Sequence, residues 1–222
     1  TQPPHLKALF PAITPSDYHE GWVFRGGAFQ LGFCLSWTLE SLVIANLPHL
    51  VSGSTISKRL GDLNDLASHM DKGFEYLPIN ELPYFSHGVA PYYYDWINNA
   101  DNQNYWDRWK IEDFHHHVTI PTYHLGGWYD LFITGTLRNF TGLKNGNLAP
   151  QKLLIGPWAH TSPLANPIGE LDFGGNSSAQ DIDLDGIQLR WFDRWLNGID
   201  NGIMQESTVS IFVMGENIWR NE

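Results

Sequence analysis

Two short apolar runs in the second half of the chain each lead to a single titratable residue. Residues 118–125 predict a strand, and Asp130 follows it after the turn at Gly126 and Gly127. Residues 152–155 predict the next strand, and His160 follows that one. Short apolar runs bounded by turn residues are typical of strands in a parallel sheet, whose ligands collect beyond the carboxyl ends of the strands. We therefore expect Asp130 and His160 at one edge of a sheet.

The rest of the chain alternates between helical and extended patterns. Residues 6–13 form another apolar run, which predicts a buried parallel strand with an exit loop at residues 14–17. Apolar residues at helical spacing predict helices over residues 36–47, 54–73, 131–143 and 184–196, and a last strand is predicted over residues 208–214. Residues 77–109 are crowded with aromatic side chains and interrupted by prolines, which suits an inserted helical cap better than a sheet.

Composition narrows the classes of function. The 222 residues are 42% hydrophobic and 14% aromatic, as expected for a globular protein. Thirteen Lys and Arg against 24 Asp and Glu give a formal charge of −11, which repels phosphate backbones and anionic lipids. We therefore predict neither a nucleic-acid partner nor a membrane partner. The single cysteine, Cys34, excludes an internal disulfide and a cysteine-based metal cluster.

The order of the two titratable residues suggests catalysis. An Asp and then a His, each just past a strand, are the last two members of the α/β-hydrolase triad, in which the serine comes first. No Gly-x-Ser-x-Gly motif is present, and the nearest segment, residues 175–179, follows both Asp130 and His160 and has a loop-like composition. The sequence thus offers two catalytic candidates without a nucleophile.

On spacing alone, Asp130 and His160 are also compatible with structural roles. Asp130 suits the N-cap of the helix that follows it, and His160 suits a packed polar position. The tandem histidines at residues 115–117 point in different directions along any regular element, so they do not converge on one ion. Asp181, Asp183 and Asp185 lack the glycine and glutamate spacing of a calcium loop. We predict no metal site and no cofactor.

Four segments in order carry a resemblance to a known family. Residues 126–130, 154–160, 189–200 and 209–219 resemble the cocaine-esterase and glutaryl-acylase branch of the X-prolyl dipeptidyl-peptidase family. The resemblance implies an α/β-hydrolase domain, a helical cap inserted in it, a C-terminal jelly roll and serine-dependent hydrolysis of esters, amides or peptides. The triad Asp and His of that family correspond to Asp130 and His160.

The same resemblance predicts how the chain is organised. Its fold class is α/β: the second half of an α/β-hydrolase with an inserted α-helical cap, plus the first strand of a truncated C-terminal jelly roll. The expected domains are residues 1–20 (core strand and exit loop), 21–115 (helical cap), 116–205 (core carrying the triad Asp and His) and 206–222 (start of the jelly roll). In the family the serine precedes the strand matched by residues 6–13, so we expect the chain to begin after its nucleophile and to be inactive alone.

Partners and substrates follow from these expectations. A sheet that lacks strands exposes an edge, which predicts self-association or binding to an upstream segment of the same protein. Trp128, Tyr129, Phe132 and Trp158 flank the two candidates and are expected to contact a small-molecule ester, amide or peptide substrate.

Two further considerations bear on the function. Where the α-amino-acid ester hydrolase branch has acidic residues, this chain has the apolar residues 131–133, which cannot pair an ammonium group. This disfavours α-amino acyl substrates. The alternative to an enzyme is an acidic binding module in which Asp130 and His160 are structural.

Overall fold

The structure is a computed structural model that describes residues 3–43, 54–86, 88–146, 148–161 and 164–222. The chain divides into two compact units, one made of Thr1–Gly21 and Trp109–Glu222 and the other of Trp22–Arg108. The second unit lies within residues 21–115, where the sequence predicts the cap. The assignment of the four domains stays a prediction.

Strands and helices alternate in the larger unit, whereas the smaller unit is mostly helical. The strands of the described residues are β1 (Phe24–Arg25), β2 (Ala28–Phe29), β3 (Thr122–Tyr129), β4 (Gln151–Ala159), β5 (Val209–Val213) and β6 (Ile218–Asn221). The α-helices are α1 (Leu31–Trp37), α2 (Ser54–Ser68), α3 (Met70–Glu75), α4 (Pro91–Asn98), α5 (Gln103–Trp106), α6 (Ile133–Gly146) and α7 (Leu184–Phe192). Short 3-10 helices cover Ile79–Glu81, Pro83–Phe85, Asp107–Trp109 and Glu112–His117, and π-helical turns cover Thr38–Val43 and Asp193–Asn197.

The larger unit is built on a sheet of order β3-β4-β5-β6. β3, β4 and β5 run parallel, and β6 returns antiparallel to β5. Nearly every residue of β3 and β4 is buried, as expected for strands covered on both faces. β5 and β6 lie in residues 206–222 and continue this sheet, so the start of a jelly roll there stays a prediction.

Side chains of β4 alternate between two hydrophobic clusters. Leu153 and Ile155 pack with Phe140 of α6 on one face. Leu154 and Trp158 pack with Trp191 of α7 on the other. Because successive strand residues point to opposite faces, α6 and α7 cover opposite sides of the sheet. This three-layer arrangement confirms the predicted α/β class.

The segment 6–13 differs from its prediction. Leu9 N–H donates to Pro121 O (2.9 Å) and Ile13 N–H to Leu125 O (2.8 Å), so the segment runs parallel to β3. It forms only two isolated bridges, since Pro11 has no N–H to donate in the middle of the run. Most of its side chains are half-buried or exposed, because it lies at the edge of the described sheet. The predicted parallel direction is confirmed, whereas the predicted burial was wrong for all residues of the segment except Ala8.

The predicted helices over residues 54–73, 131–143 and 184–196 are confirmed, with shifted bounds. The helix predicted over residues 36–47 begins earlier, at Leu31, and residues 44–47 lie outside the described residues. Asp183 caps α7 by accepting the Gly186 N–H. No helix in the described residues has the length and apolar character that crossing a bilayer requires.

The smaller unit has an aromatic core. Tyr93 is fully buried, and its ring meets those of Phe29 and Phe85 edge-on at centroid distances of 5.8 and 5.0 Å. Trp106 packs edge-on against Phe24 at 6.1 Å. Aromatic pairs in this geometry add stability beyond the apolar area that they bury. The crowded aromatics of the sequence therefore serve, at least in part, as the core of this unit.

Candidate active site

An irregularity at the carboxyl ends of β3 and β4 brings the two candidate residues together. Gly127 of β3 pairs with Gly156 of β4, but Tyr129 pairs with Ala159, so β4 holds one extra residue in this interval. Pro157, which has no N–H for the ladder, lies in the extra stretch. Such bulges often re-aim side chains beside functional sites. Asp130 and His160 follow the pair Tyr129 and Ala159 directly and leave the sheet side by side.

Two glycines make the bulge sterically possible. A Cβ on Gly127 would lie 2.2 Å from the backbone oxygen of Trp158. A Cβ on Gly156 would lie 2.3 to 2.5 Å from three atoms of the Trp158 indole. Non-bonded atoms do not approach this closely, so a side chain at either position would force Trp158 to shift. The Gly-Gly and Gly-Pro-Trp parts of the two motifs thus have a packing explanation.

The side chains of Asp130 and His160 are joined by a hydrogen bond. His160 Nδ1 lies 2.8 Å from Asp130 Oδ1. An ionised carboxylate can only accept, so Nδ1 carries the proton and donates it, which leaves Nε2 of a neutral imidazole as an acceptor. The Asp130 side chain is fully buried, whereas that of His160 is 39% exposed. The structure therefore brings the two predicted residues together, and their catalytic role stays a proposal.

Opposing effects act on the Asp130 carboxyl. Burial raises its pKa above the ordinary value, while the His160 hydrogen bond and the nearby N–H groups of Phe132 and Leu131 act to lower it. Its second oxygen, Oδ2, is buried and makes no hydrogen bond within the described part of the chain. Asp130 also stands at the turn into α6, with its carbonyl accepting the Ile133 N–H at 3.2 Å. Asp130 therefore stands at the start of the helix, which was its alternative structural role, and is also hydrogen-bonded to His160.

The four predicted substrate-contacting residues lie in different environments. Tyr129 is 41% exposed, with its ring 5.8 Å from that of Phe173. Trp128 is half-buried, and its indole N–H donates to Phe212 O at 2.7 Å. Phe132 is buried with its ring against the His160 imidazole. All three stay candidates for substrate contact.

Trp158 requires a correction. It is fully buried, packs in the cluster under α7, and its indole N–H donates to Ser177 O at 2.6 Å. A ring with no exposed surface and a satisfied N–H has nothing to offer a substrate. Its contribution is structural, because it fills the bulge between the two strands.

Several other polar residues singled out in the sequence have structural partners. Ser177 Oγ donates to Gly174 O and Ser178 Oγ to Asp181 Oδ2, so neither hydroxyl is paired with His160. His115 Nε2 is bonded to Asn139 Oδ1 at 2.9 Å. Within the described ranges, no group of three or more His, Cys, Asp or Glu residues is arranged to hold a metal ion.

Phe173 is a neighbour of the site that no motif in the sequence indicates. It is buried, and its ring lies between those of Tyr129 and Phe212, at 5.8 and 6.0 Å. The Trp219 indole N–H donates to Asn176 O at 2.7 Å and holds the same loop from another side. The available signal was the single aromatic residue in a loop rich in glycine and polar residues.

Comparisons with known proteins identify the family of the chain. The family model for X-Pro dipeptidyl-peptidase (S15 family) matches residues 1–162. The chain is 26% identical over 223 aligned positions to cocaine esterase of Rhodococcus sp. (strain MB1 Bresler), and the match covers 98% of this chain and 38% of that protein. The chain therefore spans about two fifths of the length of this relative.

Two solved structures share the fold. An aminopeptidase from a marine sediment Thaumarchaeota archaeon superimposes with a TM-score of 0.60 at 20% identity, covering 98% of this chain and 35% of that one. An α-amino acid ester hydrolase superimposes with a TM-score of 0.58 at 19% identity, covering 98% and 34%. Together with the match over residues 1–162, these likenesses show that the chain belongs to the X-Pro dipeptidyl-peptidase (S15) family of serine hydrolases, in its cocaine-esterase-like branch.

Proposed function

We propose that the protein containing this chain cleaves esters or amides by acyl transfer, and that Asp130 and His160 are two members of its catalytic triad. The observation that carries the proposal is the 2.8 Å contact between the fully buried Asp130 carboxylate and an imidazole that is 39% exposed. A buried carboxylate fixes the tautomer of the imidazole and stabilises the imidazolium that forms during the reaction. The exposed part of His160 leaves room for a nucleophile and a substrate.

The serine of the triad is proposed to come from a part of the protein outside this chain. As its Oγ bonds to the carbonyl carbon of the substrate, its proton passes to His160 Nε2. The imidazolium then gives that proton to the departing alkoxide or amine as the carbon–heteroatom bond breaks. Water then attacks the acyl-enzyme in the same way: its proton passes to His160 Nε2 and from there to the serine Oγ, and the acid is released. The edge formed by residues 6–13 offers backbone groups to which an upstream strand can pair.

The proposed substrate has a neutral acyl group. The residues that follow Asp130 are Leu131, Phe132 and Ile133, none of which can pair an α-ammonium group. An unpaired charge beside a buried phenylalanine would lose hydration without compensation. The name of cocaine esterase points to esters, whereas the aminopeptidase and the amino acid ester hydrolase share only the fold at about a fifth identity.

The test is hydrolysis of a neutral aryl ester, such as p-nitrophenyl butyrate, by the full-length gene product. Asp130→Asn and His160→Gln are each expected to lower kcat by about 10³-fold or more. His160→Gln removes the general base, and Asp130→Asn favours the wrong tautomer of the imidazole. Asp200→Asn and His69→Gln, at exposed positions with ion-pair partners, are the matched controls and should stay close to wild type.

A fluorophosphonate probe provides a second measurement. It should label the full-length protein at a serine outside these 222 residues and leave the isolated chain unlabelled. Activity that survives His160→Gln, or labelling of a serine within the chain, would contradict the proposed triad. In that case the binding-module interpretation of Asp130 and His160 would take its place.

A further inference from the structure

The His160 imidazole has a second neighbour besides Asp130. The ring of Phe132 meets it edge-on, with centroids 5.0 Å apart and planes at 89°. Phe132 is only 6% exposed, whereas the His160 side chain is 39% exposed. A ring fixed in the protein interior therefore packs against a ring that is partly free in solvent.

One hydrogen bond does not determine the orientation of an imidazole. The terminal torsion of histidine is broad, and a ring held only at Nδ1 can still pivot about that contact. Such a pivot would swing Nε2, the atom proposed to take the serine proton, through an arc while the bond to Asp130 persists. A perpendicular aromatic ring restricts the pivot, because rotation brings ring atoms into overlap and loses the favourable edge-to-face geometry.

Phe132 is also coupled to the other end of the pair. It lies two residues after Asp130, and its N–H acts on the Asp130 carboxylate, opposing the rise in pKa that burial causes. Its carbonyl accepts the Thr136 N–H at 3.0 Å, which anchors the segment to α6. The carboxylate that binds Nδ1 and the ring that restrains the imidazole thus move as one short, anchored segment.

We propose that Phe132 is a positioning residue: its ring, perpendicular to the imidazole, holds His160 in the orientation in which Nδ1 stays bonded to Asp130 and Nε2 faces the reacting serine. This inference rests on the proposed function, but its first test does not require catalysis. It assigns Phe132 a role on His160 that is separate from any contact with substrate.

The test follows the hydrogen-bonded Nδ1 proton of His160 by ¹H NMR of the full-length protein, with Asp130→Asn identifying the resonance by its loss. Phe132→Leu removes the ring. Phe140→Leu is the matched control: it lies in the helix that follows Phe132, is also buried, and its ring faces His124 at 5.8 Å instead of His160. Both variants lose the same atoms from a buried position.

The expected result is a low-field resonance that persists in wild type and Phe140→Leu. In Phe132→Leu it should exchange with solvent faster by about 2- to 12-fold, the range that corresponds to losing one edge-to-face contact, or broaden beyond detection. Phe132→Met, which keeps the bulk without a ring, should behave like Phe132→Leu and serves if the latter does not fold.

Two outcomes separate the two proposals. If wild type shows no resonance that depends on Asp130, the Asp130–His160 pair of the proposed function fails. If the resonance is present and a folded Phe132→Leu or Phe132→Met keeps it unchanged, the positioning role alone is overturned.

Steady-state kinetics of the full-length protein give an independent readout. Loss of positioning should lower kcat with little change in KM, because the interaction acts on the proton transfer. A higher KM with unchanged kcat would instead identify Phe132 as a substrate contact and contradict the positioning role.

Discussion

His124 gives the structure a pH dependence that can be worked out in magnitude. It is only 2% exposed, and its Nε2–H donates to Gln151 Oε1 at 3.0 Å within the β3–β4 pair. Burial is the largest cause that lowers its pKa from 6.5 to about 4. The Gln151 hydrogen bond acts in the opposite direction, and His115 adds a smaller lowering effect.

The sign follows from proton binding in the two states. Above about pH 6.5 His124 is neutral in both the folded and the unfolded chain, so it leaves the free energy of unfolding unchanged. Below that pH His124 is protonated in the unfolded chain, whereas in the folded chain it stays mostly neutral down to about pH 4. Each unit of pKa difference is worth about 1.4 kcal/mol, so His124 should destabilise the fold by about 2.5 kcal/mol at pH 4.5 and about 3.4 kcal/mol at still lower pH.

The assay is urea unfolding of the 222-residue chain at pH 7.5 and pH 4.5, with His124→Asn as the variant that cannot titrate. Wild type should lose about 2.5 kcal/mol more than the variant between the two pH values, whatever the variant costs at pH 7.5. His69→Asn, at an exposed position, is the matched control for replacing a histidine by asparagine. Equal losses in wild type and His124→Asn would refute the reasoning, because they would mean that His124 takes up its proton in the folded state as easily as in the unfolded state.

Two further predictions concern the active-site region. Gly127→Ala should lower the free energy of unfolding by about 1–3 kcal/mol or more, since its Cβ would overlap Trp158 O. A Cβ on Gly146 would meet nothing within 4 Å, so Gly146→Ala should leave the free energy of unfolding within about 1 kcal/mol of wild type. Equal effects of the two substitutions in chemical denaturation would contradict the steric account. Asp130→Asn should be as stable as wild type or more stable near pH 7. The pKa of Asp130 is higher in the folded chain than in the unfolded chain, so its ionisation destabilises the fold at pH values above the folded-state pKa and has no such effect below the unfolded-state pKa. A loss of more than about 2 kcal/mol in the same assay would show instead that the His160 hydrogen bond outweighs the burial of the charge.

The sequence predicted the elements whose signals are local. Apolar runs located the first parts of β3 and β4, and helical spacing located α6 and α7, because buried faces are filled with apolar residues. The turn predicted at Gly126 and Gly127 was wrong, since both glycines lie inside β3. The sequence placed Asp130 and His160 at the same edge because the carboxyl ends of parallel strands must lie together. The sequence did not predict features that depend on distant residues. The burial of residues 6–13 is one example, because it depends on whether another strand pairs with the edge of the segment that faces away from β3.

Trp158 shows the same limit inside the site. Its position two residues before His160 suggested contact with a substrate, yet its ring fills the bulge and its N–H is bonded to a loop that follows later in the chain. Trp158 shares a face of β4 with Leu154, as strand alternation predicts. The covering of that face by α7 and by the loop at Ser177 is set by later parts of the chain, so the local sequence does not show that the ring is buried.

The bulge links the structural residues of the two motifs to the two residues that are proposed to be catalytic. The extra residue pairs Tyr129 with Ala159, so Asp130 and His160 are the residues that follow this last pair. At the bulge, Gly127 lies against the Trp158 carbonyl and Gly156 lies against the Trp158 indole. It follows that an Asp and a His after neighbouring strands are insufficient evidence for such a pair. The glycines opposite and before the tryptophan leave room for the irregularity that directly precedes the contact between Asp130 and His160.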